Sequence, residues 1–360
     1  MRITHVHIKH FRCFQSLDIP FDNAIILIEG MNGAGKTSLL EALHYLCYLR
    51  SFRTHLPQEL VHFGQDNFFI RARISNHLVD ANDTYDLQVG FSNKKRLVKI
   101  NNKSVSSYKE LLDYYRIVTL TEDDLALIKG GPEERRLFID QAIMLSNAEF
   151  VTLSKRCKDI VENRNVLLKR GGSAESYQLW TEQLWQITHS ISHERIRLLA
   201  ELEEKVRTLI TTYFGSEFTI SIAYTPKKEL GSSYQEFTDK HPFLYQDEQR
   251  FGRSLFGAHL DDFTIHFQEA KSRNYASRGQ QKLIVMLFKA AQVHLLLAHK
   301  GSVILLLDDF MTDFDQAKAH VLLQLLADLK VQLIFTMPTS GGFLQQALLG
   351  QGAALIKLTN

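Results

Sequence analysis

Ala24-Ile25-Ile26-Leu27-Ile28-Glu29-Gly30-Met31-Asn32-Gly33-Ala34-Gly35-Lys36-Thr37-Ser38-Leu39-Leu40-Glu41-Ala42-Leu43 is an apolar run, a glycine-rich turn closing on Lys-Thr-Ser, and an apolar segment that starts a helix. That succession reads as strand, phosphate-binding P-loop and helix. Glycines let backbone N–H groups curl round phosphate oxygens, and the helix turns its positive dipole end toward them. We place Gly30, Asn32, Gly33, Ala34, Gly35, Lys36, Thr37 and Ser38 around the phosphates of a nucleotide. Lys36 supplies a point charge to the β- and γ-phosphates, and Thr37 offers its hydroxyl to Mg²⁺.

A phosphate loop needs a metal-holding carboxylate, and the far end of the chain supplies one. Val303-Ile304-Leu305-Leu306-Leu307-Asp308-Asp309 is an apolar run closing on paired carboxylates, the form of a Walker B strand buried on both faces. Asp308 is the expected Mg²⁺ ligand, and Asp309 stands where a general base orients the attacking water.

The long separation of these motifs selects the subclass. Shortly before the second lies Ser277-Arg278-Gly279-Gln280-Gln281, opening the apolar helical stretch Leu283-Ile284-Val285-Met286-Leu287-Phe288. A Ser-x-Gly-Gln sequence there has the form of the signature motif of ABC-type ATPases, in which hydroxyl and helix N-terminus receive the γ-phosphate bound by another subunit. Ser277, Gly279 and Gln280 are therefore candidate nucleotide contacts across a dimer. The pentapeptide alone is also what caps a helix; its weight comes from its position ahead of Asp308.

Further segments sharpen the reading: Ile8-Lys9-His10-Phe11-Arg12-Cys13-Phe14, Ser51-Phe52-Arg53-Thr54, Gly130-Gly131-Pro132-Glu133-Glu134-Arg135-Arg136-Leu137-Phe138-Ile139-Asp140, Ser277 to Lys282 and Asp308-Asp309-Phe310. On these the chain resembles, nearly end to end, the RecF family of bacterial recombination-mediator ATPases, related to the SMC and double-strand-break-repair ATPases. The resemblance implies ATP and Mg²⁺ as cofactors, with Arg12 near the nucleotide, Asp315 as the D-loop aspartate that speaks across the dimer, and Thr336 or Met337 at the switch position. It also implies a weak, DNA-stimulated ATPase in which ATP closes a head-to-head homodimer on single-stranded, gapped or double-stranded DNA. The role implied is recombinational repair, replication and the SOS response, helping RecO and RecR load RecA.

Two stretches depart from the family pattern. Leu120-Thr121-Glu122-Asp123-Asp124-Leu125 stands where Phe-x-Pro-Glu-Asp-Leu is usual, which implies a looser loop. Gly257-Ala258-His259-Leu260-Asp261-Asp262 stands where Gly-Pro-His-Arg precedes the acidic pair, which removes an arginine at Leu260.

Composition is that of an ordinary folded protein: 360 residues, 45% hydrophobic and 23% charged, long enough for two domains. No purely apolar run approaches the roughly 18 residues that cross a bilayer, and the chain begins on an amphipathic strand, so we expect a cytoplasmic protein with no membrane partner. Cys13, Cys47 and Cys157 form no zinc or disulfide pattern. The net charge of +2 announces no nucleic-acid binding, so any footprint is local. Candidate patches are Lys94-Lys95-Arg96 with Lys99 and Lys103 about a hairpin turn at Asn101-Asn102, Arg50 with Arg53, and Lys155, Arg156, Lys158, Arg164, Lys169 and Arg170 on a mid-chain helix.

The pattern of elements gives an α/β fold: an ABC-type ATPase head of mixed sheets over residues 1–145 and 255–360, with an inserted, largely helical lobe over 146–254. From about Ala148 to Thr212 the sequence is helical, broken at Gly171-Gly172-Ser173, which predicts two antiparallel helices. About 65 helical residues folded as a hairpin reach only about 50 Å, too short for the long coiled coils of chromosome-organising relatives. An ABC transporter ATPase subunit, or a nucleotide-dependent adaptor without a DNA clamp role, shares the two Walker motifs. The Ser-Phe-Arg and Gly-x-Pro-x-x-Arg-Arg elements argue against the transporter subunit, and the adaptor differs only in whether Asp309 works.

Overall fold

The apolar runs before the P-loop and before Asp308 are central strands of one parallel sheet, and the run Leu283–Phe288 is helical. The computed structural model describes residues 1–75, 84–105, 107–215, 217–339 and 342–358. It divides into two compact units, Met1–Asp124 with Lys282–Asn360, and Leu125–Gln281.

The first unit opens with β1 (Arg2–Phe11), β2 (Phe14–Pro20), β3 (Ile25–Gly30), α1 (Lys36–Tyr48), β4 (Asn67–Ser75), β5 (Thr84–Ser92), β6 (Lys95–Ile100), β7 (Lys103–Ser104), α2 (Tyr108–Tyr114) and β8 (Ile117–Leu120). The second unit follows with α3 (Ala126–Lys129), α4 (Pro132–Ser146), α5 (Phe150–Arg170), α6 (Ala174–Phe214), β9 (Ile220–Thr225), α7 (Tyr234–Lys240), α8 (Leu244–Phe251), β10 (Asp262–Phe267), β11 (Ala270–Lys271) and α9 (Ser272–Tyr275). Helix α10 (Arg278–Lys300) returns the chain to the first unit, completed by β12 (Ile304–Asp308), α11 (Gln316–Asp328), β13 (Gln332–Pro338), α12 (Gly342–Gly350) and β14 (Ala354–Lys357).

In the first unit a five-stranded sheet runs β14-β3-β13-β12-β8, with every pairing parallel. Ile26, Leu27, Ile28, Ile304 to Leu307 and Leu333 to Phe335 are buried, as strands covered on both faces require. Asp308 is paired with Thr336, and Thr336 with Ile28, so the carboxyl ends of β12, β13 and β3 share one edge. That edge is where open α/β sheets bind ligands. A six-stranded antiparallel sheet, β2-β1-β4-β5-β6-β7, shows the alternation of a one-sided core, with Phe68, Ile70, Ala72 and Ile74 of β4 pointing inward. Its hairpin at Asn101-Asn102 falls as the sequence predicts, with φ of 48° and 64°, the left-handed pair that a tight hairpin turn needs. Helix α10 is apolar and long enough to cross a membrane by composition, but 72% of its apolar window is buried inside the protein, so its apolar residues serve a core.

In the second unit, α5 and α6 are the antiparallel pair expected from the break at Gly171–Ser173. Ser173 caps α6 by accepting the Ser176 N–H at 3.2 Å. Leu198, Leu199, Leu202, Val206, Leu209 and Ile210 form the buried stripe of α6, a helix about 60 Å long. The unit boundaries fall at 124/125 and 281/282, not at 145 and 255. The reason is local packing: α4 lies against α6 and β10, so Gly130–Asp140 belongs with the helical lobe.

Three arginine pairs hold that lobe. Arg135 grips Asp262 through both carboxylate oxygens at 2.7 and 2.8 Å, and Arg195 grips Asp140 at 2.8 and 2.9 Å while donating to the Ala258 carbonyl at 2.6 Å. Arg164, counted among the basic surface candidates, is instead fully buried and paired with Glu248 of α8, with Thr181 and Ser254 as further partners. A guanidinium removed from water needs such a complete set of acceptors, so Arg164 is a core residue and drops from the list of DNA contacts.

Candidate functional site

Gly33 and Gly35 have φ of 87° and 94°, left-handed values that glycine adopts without strain, and they turn the P-loop into α1. A Cβ on Gly35 would lie 2.6 Å from both Cys13 Sγ and the Phe14 ring, so the β1–β2 turn seals one side of the loop. Gly30 is equally confined, with Ala34 Cβ at 2.9 Å from the Cβ it lacks. Lys36 is buried and its ammonium donates to the Gly30 carbonyl at 2.9 Å. Asn32 and Gly33 are exposed, whereas Ala34 and Ser38 are buried.

Thr37 Oγ donates to Asp308 Oδ1 at 3.1 Å, which joins the P-loop to the end of β12. Thr336, directly across on β13, donates to the same oxygen at 2.8 Å and accepts the Asp309 N–H at 3.0 Å. Burial pushes the Asp308 carboxyl above its ordinary range, and the two hydroxyl donors offset part of that shift. Asp309 adopts a left-handed φ of 48°, which turns it out of the strand. Of the two switch candidates, Thr336 faces the carboxylates and Met337 is buried. A glycine cradle beside a hydroxyl–carboxylate pair suits a triphosphate and Mg²⁺. Among the described residues no group of three or more His, Cys, Asp or Glu could hold a metal by itself. Asp261 and Asp262, beside His259, are spent on other partners: Asp261 on Tyr224, Ser192 and the Lys227 N–H, and Asp262 on Arg135.

Arg12 sits in the β1–β2 turn with a left-handed φ of 51°, a conformation that costs a residue with a side chain about 1 kcal/mol or more. It persists because everything around it is tied. Its N–H donates to the Leu60 carbonyl at 2.7 Å, its own carbonyl accepts from His62 Nδ1 at 2.8 Å, and its guanidinium takes both oxygens of Glu41 at 2.7 and 2.8 Å. Glu41 is a residue the sequence reading passed over. Fully buried on α1, it also accepts the Ser51 hydroxyl and faces Arg53 at 3.9 Å, so the Ser51–Thr54 motif and Arg12 share one anchor. A lone glutamate a helical turn past Thr37 in an otherwise apolar stretch was the available signal.

The loop at Thr121–Leu125, expected to be looser without its proline, is tied at several points. Asp124 accepts the Thr121 N–H at 2.8 Å and pairs with Lys289 at 2.6 Å, and Glu122 pairs with Lys282. Lys282 is buried, also meets Asp313 at 2.8 Å, and lies 4.9 Å from the Phe310 ring centre.

Ser277, Gly279 and Gln280 belong to the other unit, at the exposed start of α10. Ser277 Oγ accepts the Gln280 N–H at 3.3 Å while Gln280 Oε1 accepts the Ser277 N–H at 2.8 Å, a reciprocal capping box. Asp315 likewise caps α11, accepting the Lys318 N–H at 2.9 Å. The other basic candidates, Arg50, Arg53, Lys94, Lys95, Arg96, Lys103, Lys155, Arg156, Lys158, Lys169 and Arg170, are exposed, and Lys99 is partly so.

Fold and site together define a P-loop ATPase head of the ABC/SMC class. The profile of the RecF/RecN/SMC N terminal domain matches residues 2–349. A Leptospira interrogans protein named DNA replication and repair protein RecF is 30% identical over 320 residues, 88% of this chain and 86% of that one. One of the same name from Desulfitobacterium hafniense is 29% identical over 97% of this chain and 96% of its own. The chain belongs to the RecF family. A solved structure of the recombination mediator protein RecF-ATP in the RecFOR pathway shares the fold, with a TM-score of 0.83 at 24% identity over 94% of each chain. A solved SMC head bound to the C-winged helix domain of ScpA shares it less closely, with a TM-score of 0.54 at 15% identity over 95% of this chain and 90% of that one.

Proposed function

We propose that this protein is an ATP-gated DNA-binding ATPase of recombinational repair. ATP would bind with its phosphates on Gly30, Asn32, Gly33, Ala34, Gly35, Lys36 and Ser38, and Thr37 and Asp308 would hold Mg²⁺. Held there, Mg²⁺ would supply positive charge against the phosphates. Asp309 orients the attacking water, and Thr336 keeps both carboxylates in register by donating to one and accepting the backbone of the other.

The observation that carries this reading is the 3.1 Å contact between Thr37 and Asp308, residues brought together from opposite ends of the chain. In the dimer, Ser277 and Gly279 of one copy meet the γ-phosphate on the other, with Gln280 fixing the helix start and Asp315 reaching across. ATP favours the closed dimer only through contacts that ADP lacks. DNA is held by phosphate contacts that are salt-sensitive and sequence-independent, and slow, DNA-stimulated hydrolysis releases it. The names of the relatives, and the pathway of the solved RecF-ATP, support a role with RecO- and RecR-like partners in loading RecA, in replication and in the SOS response.

Light scattering with ATP·Mg²⁺ or ADP, with and without a gapped duplex, beside Lys36→Met, tests this. A dimer that appears only with ATP, tightens on DNA and is lost in the variant is the expected result. An unchanged monomer that still hydrolyses ATP overturns the clamp.

A further inference from the structure

Phe63 is 97% exposed, the most exposed large apolar side chain among the described residues. A single exposed apolar residue is ordinary; what sets this one apart is the rigidity of its mount and what the mount is attached to. His62-Phe63-Gly64-Gln65 is a tight turn closed by Gln65 N–H to the His62 carbonyl at 3.0 Å, with Gly64 at φ 81°, the left-handed value that the third position of a type II turn requires. The segment leading into it is laced to the turn carrying Arg12. Phe11 and Val61 form an antiparallel bridge, His62 N–H donates to the His10 carbonyl at 2.8 Å, and Arg12 Nη1 donates to the Glu59 carbonyl at 2.9 Å. The imidazole of His62, whose Nδ1 must carry the proton to donate to the Arg12 carbonyl, closes the set. On its other side the same turn places Cys13 and Phe14 against Gly35 of the P-loop.

The Phe63 ring stands in water on a turn hydrogen-bonded to the turn that walls the phosphate cradle. We infer that Phe63 is the stacking platform for the purine base of the nucleotide whose phosphates occupy the P-loop. The inference rests on the ATP reading above and assigns the base, which that reading leaves without a contact. Stacking a base on an aromatic face needs an accessible ring and costs little side-chain ordering when the turn is rigid. The Arg12 guanidinium, committed to Glu41, fixes the turn and is a positioning residue here.

Calorimetric titration of ATP and of inorganic tripolyphosphate, each with Mg²⁺, into the wild-type protein, Phe63→Ala and Phe63→Tyr tests it. Truncation at an exposed turn tip leaves the fold intact. Phe63→Ala is expected to weaken ATP on the order of tenfold, the usual loss for a base–aromatic stack, to leave tripolyphosphate unchanged, and Phe63→Tyr to bind both like wild type. Equal ATP affinity in Phe63→Ala and wild type overturns the inference and leaves the ATP reading standing. So does a variant that keeps ATP but loses affinity for single-stranded DNA, which would put a DNA base on the ring. A wild-type protein that binds neither ATP nor tripolyphosphate overturns both readings.

Discussion

Thr336 Oγ stands 2.8 Å from Asp308 Oδ1 and receives the Asp309 N–H at 3.0 Å, so one hydroxyl on the neighbouring strand fixes both carboxylates of the site. Parallel register makes this possible, because β12 and β13 bring Asp308 and Thr336 level. The hydroxyl both donates and accepts, which valine of the same shape cannot do.

Thr336→Val should therefore leave ATP affinity nearly unchanged and lower the hydrolysis rate by about tenfold or more, the worth of a hydrogen bond to a charged group. Thr336→Ser should recover most of the rate. Steady-state ATPase assays beside nucleotide titration separate the two parameters, and equal losses in binding and turnover would speak against an aligning role.

Glu41 is fully buried and satisfies Arg12, Ser51 and, at longer range, Arg53. Removing its charge strands a partly buried guanidinium in a strained turn, a change of about 3 kcal/mol. Glu41→Gln is expected to lower the urea midpoint of the protein and to weaken ATP binding as well, since the turn it anchors walls the P-loop. Unfolding curves and ATP titration check both; a stable variant with normal ATP affinity would show that Arg12 needs no anchor.

His44 on α1 is buried between Tyr48 and Phe52, with Thr119 at 2.8 Å, and burial near Lys289 depresses its imidazole to about 3. The folded protein keeps it neutral while the unfolded chain protonates it below about 6.5, so the unfolded state binds more protons. Stability should be full above that value and fall by about 1.4 kcal/mol per pH unit as pH drops from 6.5 toward 3. Urea midpoints from pH 7.5 to 5 should show a shallower slope in His44→Gln than in the wild type.

Much of this architecture was legible because periodicity and motif spacing carry it. The runs at Ile25–Ile28 and Val303–Leu307 are strands buried on both faces, as read, and the α5–α6 hairpin breaks at Gly171–Ser173 as the residues put it. What escaped was long-range pairing. Arg164 looks like any surface charge in a basic helix, and only the fold brings Glu248 to it. Glu41 reads as an ordinary helical glutamate until the β1–β2 turn delivers Arg12. Likewise, nothing local in Glu133–Asp140 announces that Arg135 will pair with Asp262. Short elements such as β2, α7 and β14 carry too few residues for a period to show.

Ser277 combines two roles that one substitution can separate. Its side chain caps α10 in a reciprocal box with Gln280, and in the proposed dimer the same hydroxyl meets the γ-phosphate held by the other copy. Aspartate caps a helix about as well as serine, so Ser277→Asp should keep the start of α10 and leave the unfolding midpoint within about half a kcal/mol of wild type. A carboxylate facing a phosphate is repelled, however, and in a water-poor interface that repulsion is large. Ser277→Asp should therefore bind ATP as a monomer and fail to dimerise on it, whereas Ser277→Ala should lose about 1 kcal/mol of stability and dimerise only weakly. Light scattering with ATP beside thermal unfolding distinguishes these cases. If Ser277→Asp dimerises on ATP as the wild type does, the serine is a helix cap alone and the γ-phosphate contact must come from another residue.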